Sequence, residues 1–108
     1  MKRFHIAIST DNIEATVADY SNRLGEKPCL VIPGQYALWR TDTLNVSIRQ
    51  DTSAKPGSLR HLGWEDPAAT GFTEDADVNG IVWERFSADH QAQEISELWP
   101  DVELQLSK

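Results

Sequence analysis

Two histidines and one glutamate occupy positions from which a divalent metal ion can be bound. His5, His61 and Glu84 each lie in a run of alternating apolar and polar residues, on the polar side of the run. Because successive side chains of a strand point to opposite faces, the three face one side of a sheet if these runs pair. Two imidazoles and a carboxylate on one face hold a divalent metal and leave positions open for water or substrate. The pattern therefore predicts a metal site.

The same residues allow a simpler interpretation. A histidine on a strand is more often a surface or hydrogen-bonding residue than a metal ligand. His61 and Glu84 can also pair with Arg60, with Arg85 or with each other. The spacing alone leaves both interpretations open.

The first half of the chain supplies a strand, a helix and three further strands. Alternation over residues 4–10 predicts the first strand. Apolar residues at helical spacing after an Asp11 cap predict a helix that stops at Gly25. Residues 1–52 therefore predict a βαβββ module, whose last three strands are the extended runs at residues 28–32, 36–40 and 44–50.

The second half begins like a copy of the first. Residues 53–58 form a polar linker of turn-forming residues, and a second alternating strand follows from Leu59. Residues 4–8 and residues 60–64 place a histidine at the same point of a strand, which indicates an internal repeat.

The helix of the second half comes late. Ser87 can cap a helix over residues 88–99, and Val102, Leu104 and Leu106 alternate beyond it as a final strand. We therefore expect one α+β domain. A βαβββ module and a shortened second copy over residues 59–108 would form a curled mixed sheet with helices on its outer face.

The polar faces of the strands together form a cup that can hold a ligand. We expect Trp39 and Phe86 to be walls of this cup, and Ser47 and Arg49 to contact a bound molecule. The polar face also carries Asn45. The opposite face must be covered by both helices, because it is apolar; it comprises Phe4, Ile6, Ile8, Val46, Ile48, Leu62, Trp64, Ile81 and Trp83.

Four segments together resemble the vicinal oxygen chelate superfamily, which includes glyoxalase I, extradiol dioxygenases and bleomycin-resistance proteins. They are residues 5–9, 13–25, 59–63 and 77–84, and they follow one another in the family's order. The resemblance implies paired βαβββ units that curl round a divalent metal, with Fe, Mn, Ni and Zn equally suited. It also implies that the metal ligands are His5, His61 and Glu84.

One departure from the family pattern reduces the number of activities that the resemblance implies. Glyoxalase-type members take a fourth ligand from the last strand of the first module, where this chain has only Asn45, Ser47 and Arg49. A lactoylglutathione lyase is therefore disfavoured. The expected function is a glyoxalase- or dioxygenase-like protein that binds a metal and a small oxygen-bearing molecule. The alternative is a metal-free binding module of the bleomycin-resistance type, with Arg49 as an anion contact. Glu65, on the same strand face as His61, is a candidate base or a partner that orients an imidazole. The alternative interpretation, which is the more common one for a glutamate, is a solvated residue at the end of the strand.

Composition excludes several classes of partner. Seventeen acidic against ten basic residues give a net charge of −7, so nucleic acids and anionic membrane surfaces are repelled at long range. The single cysteine, Cys29, cannot form an internal disulfide, which favours a reducing cytoplasm. Because the second module is short and leaves sheet edges uncovered, we also expect a homodimer.

Overall fold

Seven strands form one open, mixed sheet in the computed structural model, which describes residues 1–102 and residue 106. The two helices are α1 (Ile13–Leu24) and α2 (Ala88–Leu98). The predicted α+β class is confirmed. The strands are β1 (Arg3–Thr10), β2 (Leu30–Ile32), β3 (Tyr36–Arg40), β4 (Leu44–Gln50), β5 (Leu59–Glu65), β6 (Thr73–Ala76) and β7 (Val82–Phe86).

The order of the strands shows the repeat. The sheet runs β2-β3-β4-β1-β5-β7-β6, with β1 antiparallel to β5 at its centre. On one side β1 is parallel to β4, and β3 pairs antiparallel with β4. On the other side β5 is parallel to β7, and β6 pairs antiparallel with β7. The second half thus repeats three strands of the first, without a helix after its first strand.

Most predicted elements are present, with small shifts at their ends. The cap of α1 is Asn12 rather than Asp11, because the Asn12 side chain accepts a hydrogen bond from the Ala15 amide at 3.0 Å. β6 was not anticipated, since its four residues are all exposed and show no apolar alternation. The final strand expected around Leu104 lies largely outside the described residues.

Helix α1 covers part of one sheet face. Ile13 packs on a buried cluster from β3 and β4 that includes Ala37 and Trp39. Trp39 was expected in the cup, and this was wrong. Its ring lies under α1, fully buried, and its indole N–H donates to the Glu26 carbonyl at 3.1 Å. The alternation of β3 places Tyr36 and Leu38, not Trp39, on the cup face.

Helix α2 packs against the opposite face, inside the cup. Its buried residues Ala88 and Ile95 join Tyr36 and Leu38 in a second apolar cluster. The expectation that both helices cover the apolar face therefore holds for α1 alone, because α2 follows directly from β7 and turns its apolar stripe toward Tyr36 and Leu38. Neither helix of the described chain has the length and hydropathy needed to cross a bilayer.

Within residues 1–102 and 106, neither helix packs on the central part of the apolar face. Phe4 packs edge-on against Trp64, with ring centres 5.2 Å apart, and against Trp83 at 6.0 Å. Trp64 remains 39% exposed. This group, with Ile6 and Leu62, is called the outer aromatic patch below.

Gly63 sets the spacing of the strands that form the cup. It pairs with His5 on β1 and with Glu84 on β7. A Cβ atom at this position would collide with the backbone carbonyl of Glu84. The missing side chain lets β5 and β7 lie close together.

We expect Gly63→Ala to lower the free energy of unfolding by about 1–3 kcal/mol, because the new methyl group has to push β7 away from β5. Urea denaturation measures the change. Gly71→Ala is the matched control, since a Cβ atom there meets nothing within 4 Å. Equal stability of the two variants would contradict the close approach.

Candidate metal centre

Three potential metal ligands converge on the cup face of β1, β5 and β7. His5 Nε2 lies 2.9 Å from His61 Nε2, which lies 3.0 Å from Glu84 Oε1. The three ligand atoms lie within 4.8 Å of one another. Two ligands at right angles on a metal with bonds of about 2.1 Å would be about 3.0 Å apart. Both short separations therefore match neighbouring ligands of one ion.

The hydrogen bond on the other side of the His5 ring leaves Nε2 free to bind a metal. His5 Nδ1 lies 2.8 Å from Asn45 Oδ1, and 3.2 Å from the Asn45 carbonyl. Both partners are acceptors, so Nδ1 carries the proton and donates. Nε2 then presents its lone pair to His61 and Glu84. Metal-binding histidines are usually held by such a bond through their second nitrogen.

The side-chain amide of Asn45 is itself fixed in orientation. Its Nδ2 donates to Glu65 Oε1 at 2.8 Å and to Gln91 Oε1 at 2.7 Å. Gln91 Nε2 donates back to Asn45 Oδ1 at 3.2 Å. Because an ionised carboxylate only accepts hydrogen bonds, Glu65 forces the amide nitrogen toward itself. Asn45 Oδ1 is thereby left facing His5.

Glu65 is bonded as a structural anchor, an arrangement that disfavours the expected role as a base. Arg40 binds both of its oxygens, at 2.8 and 2.9 Å, and Arg3 binds Oε2 at 2.8 Å. Burial alone would raise the pKa of Glu65, but the hydrogen bonds from Arg40 and Asn45 hold it below its ordinary value. A carboxylate with four donors around it and a lowered pKa is a poor proton acceptor. Its second expected role, as a partner that orients an imidazole, matches its position behind Asn45.

His5 is neutral at physiological pH. Its burial, reinforced by the neighbouring His61, lowers the pKa of His5 to about 4. The imidazole is therefore in the form that binds a metal at pH 7.

A small cavity of about 30 Å³ adjoins the three ligands. Ser47, Arg49 and Phe86 line it, as expected, and Trp39 does not. Phe86 is buried and packs edge-on against His5, with ring centres 4.9 Å apart. The cavity is narrow because α2 occupies the cup.

Two charged lining residues were missed by sequence reasoning. Arg60 precedes His61, and adjacent strand residues normally face opposite sides; here a β-bulge opposite Ala7 and Ile8 lets both line the cavity. Glu94 reaches the cavity from α2, and burial together with the charge of Glu84 raises its pKa. Glu94 could have been predicted to line the cavity, because it is a polar residue on the inner side of an amphipathic helix.

These residues suit a divalent ion because their donor atoms are of the right type and His5 is already oriented to bind it. Two imidazole nitrogens and one carboxylate oxygen are offered from three adjacent strands, and all three side chains are largely buried. The side chain that orients His5 is already in place.

Glu65→Gln tests the anchor. Removing the charge leaves Arg40, whose side chain is only 5% exposed, without its counter-ion. We expect the free energy of unfolding to fall by about 3–5 kcal/mol at pH 7, measured by urea denaturation. Asp19→Asn, which breaks the exposed Asp19–Arg23 pair, is the control and should cost at most about 1 kcal/mol. Similar losses in the two variants would contradict the anchor.

The contribution of Glu65 also depends on pH. A carboxylate whose pKa is lower in the folded state stabilises the protein above its ordinary pKa of 4.5. That stabilisation is lost as the pH falls through the lowered value. The stability difference between the native chain and Glu65→Gln should therefore be full at pH 7 and shrink below about pH 4. Denaturation series at pH 7, 5 and 3.5 measure it, and a constant difference would rule the linkage out.

Comparison with known proteins adds no relative to this description. No family model matches the chain, and no curated protein matches it either. The function is therefore argued from the geometry of the His5, His61 and Glu84 centre.

Proposed function

We propose that this chain binds one divalent metal ion through His5, His61 and Glu84 and takes a small oxygen-bearing molecule beside it. The function is glyoxalase- or dioxygenase-like, in the sense of the vicinal oxygen chelate superfamily that the sequence resembles. Fe, Mn, Ni and Zn all suit two imidazoles and a carboxylate.

The single observation that supports the proposal best is the spacing of the ligand atoms. His61 Nε2 has His5 Nε2 at 2.9 Å and Glu84 Oε1 at 3.0 Å, the separations of neighbouring ligands on one ion. The bond from His5 Nδ1 to Asn45 leaves His5 Nε2 with the lone pair that a metal ion would need.

The surrounding residues supply the rest of the site. A divalent ion bound here would act as a Lewis acid toward an oxygen of the bound molecule. Phe86 would cover one side of that molecule and exclude water. Glu94, with its raised pKa, is the cavity carboxyl suited to exchange a proton, a role that the bonded Glu65 cannot take.

A metal-free binding module of the bleomycin-resistance type is the second candidate. The observation in its favour is that the centre is satisfied without an ion, since His61 Nε2 has hydrogen-bonding partners in both His5 and Glu84. In that case the three residues are polar lining for a small planar or apolar molecule beside Phe86.

Metal titration separates the two candidates. We expect protein purified without a histidine tag to bind one equivalent of Mn²⁺, Ni²⁺ or Zn²⁺ in calorimetry and to gain thermal stability from it. His61→Ala and Glu84→Ala should each weaken binding by about 100-fold or more, while the fold survives.

Glu74→Ala is the matched control for Glu84→Ala. Glu74 pairs with Glu84 in the β6–β7 ladder but is exposed, so its removal should leave metal affinity unchanged. If the native chain binds no metal, or if His61→Ala and Glu84→Ala retain native affinity, the metal proposal is wrong and the metal-free module takes its place.

We also propose that the chain forms a homodimer through the outer aromatic patch. Neither helix of the described part of the chain packs on this patch, and its Trp64 is 39% exposed. A second copy placed by a two-fold axis would cover both patches at once. A reducing cytoplasm is the compartment proposed for this protein, on the basis of its single cysteine.

Trp64→Glu tests the assembly by placing a charge in the proposed interface. We expect the native chain to sediment as a dimer at tens of micromolar and the variant to dissociate at least tenfold more readily, measured by analytical ultracentrifugation. Val78→Glu, at a residue 98% exposed in a turn, introduces the same charge elsewhere and should leave the dimer intact. A monomeric native chain would exclude the assembly.

A further inference from the structure

Two arginines in the cavity have no counter-charge bound to them. Arg49 and Arg60 both line the cavity beside the metal centre. Among residues 1–102 and 106, neither guanidinium forms a hydrogen bond or an ion pair, whereas Arg3, Arg23, Arg40 and Arg85 are each bonded to a carboxylate. Two unpaired guanidinium groups beside one cavity are a common way to bind an anion.

Both arginines are held where they are by the fold. Arg49 lies with its guanidinium carbon 5.7 Å from the centre of the Trp99 ring, a stacked position that leaves its edge free to donate hydrogen bonds. Arg60 owes its place to the β-bulge that turns it to the same side as His61. Both residues are partly buried, so neither is a freely moving surface side chain.

The charged side chains of the cavity lining balance one another before any ion binds. Arg49 and Arg60 offset Glu84 and Glu94. A divalent ion adds two positive charges, which an anionic ligand would reduce. The site is therefore electrostatically prepared for a metal and an anion together.

The remaining walls indicate the chemistry of that anion. Phe72 and Phe86 stack with ring centres 5.3 Å apart, and Trp99 closes the side next to Arg49. Aromatic walls suit carbon rather than further polar groups. The cavity itself is small, at about 30 Å³, and Phe72 and Leu98 on its border are 38% and 45% exposed. These features favour a compact organic anion over a large or highly charged one.

We infer that the oxygen-bearing ligand is a compact carboxylate, whose carboxyl group is bound by Arg49 and Arg60 while a neighbouring oxygen faces the metal centre. The inference rests on the proposed function for that second oxygen, but the arginine pair is a property of the chain alone.

Glycolate and glycolamide test the inference, because they have the same shape and differ in charge. With the protein loaded with Ni²⁺, calorimetry should show glycolate binding at least tenfold tighter than glycolamide. Arg60→Gln should abolish most of this preference, and Glu94→Gln should strengthen glycolate binding by removing a negative charge from the cavity. Opposite effects from two neighbouring substitutions would not arise from general damage to the fold.

Arg23→Gln is the control, since it removes the same charge from exposed α1, on the other side of the sheet. It should leave glycolate binding unchanged. Metal affinity is measured for every variant, so failure of the metal proposal appears separately. If no metal binds but glycolate still binds metal-free protein with the same dependence on Arg60, the carboxylate inference stands alone. Equal binding of glycolate and glycolamide, native behaviour of Arg60→Gln, or tighter binding of inorganic phosphate than of glycolate would each overturn it.

Discussion

The candidate metal centre depends on the four hydrogen bonds that the Glu65 carboxylate accepts. Arg3 and Arg40 fix the carboxylate, and the carboxylate fixes which way the Asn45 amide points. Asn45 in turn decides which nitrogen of His5 carries a proton. The ion pairs of Glu65, at the end of β5, thus determine the tautomer of the His5 ring on β1. They act through Asn45, because the carboxylate can only accept hydrogen bonds.

The alternation of the strands separates stability from chemistry. On one face, Trp39 and its neighbours form the core beneath α1, and on the other face polar residues converge between β1, β5 and β7. Gly63 lies at the junction, because only a residue without a side chain lets β5 and β7 approach there. Helix α2 then enters the polar face and brings Gln91 and Glu94 with it. The shortened second half therefore gains lining residues where a full repeat would have an outer helix.

Local pattern was sufficient for the strands that carry His5, His61 and Glu84, because alternation is a short-range property. It was not sufficient for Trp39, whose face depends on the register of β3 against β4. The position of Arg60 beside the cavity was not predicted for a related reason, since a β-bulge interrupts the alternation at that point. The role of Glu65 required knowledge of Arg3 and Arg40, which lie 62 and 25 residues away in sequence. Pairing over such distances is decided by the tertiary fold, as is the face on which α2 packs.

The position of α2 across the cup has a kinetic consequence. Gln91 bonds the amide that orients His5, and Glu94 and Ile95 line the same cavity, so one helix both completes the site and closes it. A molecule bound in the cavity would contact this helix, and movement of the helix would also loosen Asn45. The residence time of a ligand and the protection of the α2 amides against hydrogen exchange are then governed by one opening event. We therefore expect ligand exchange in this protein to be coupled to the opening of α2.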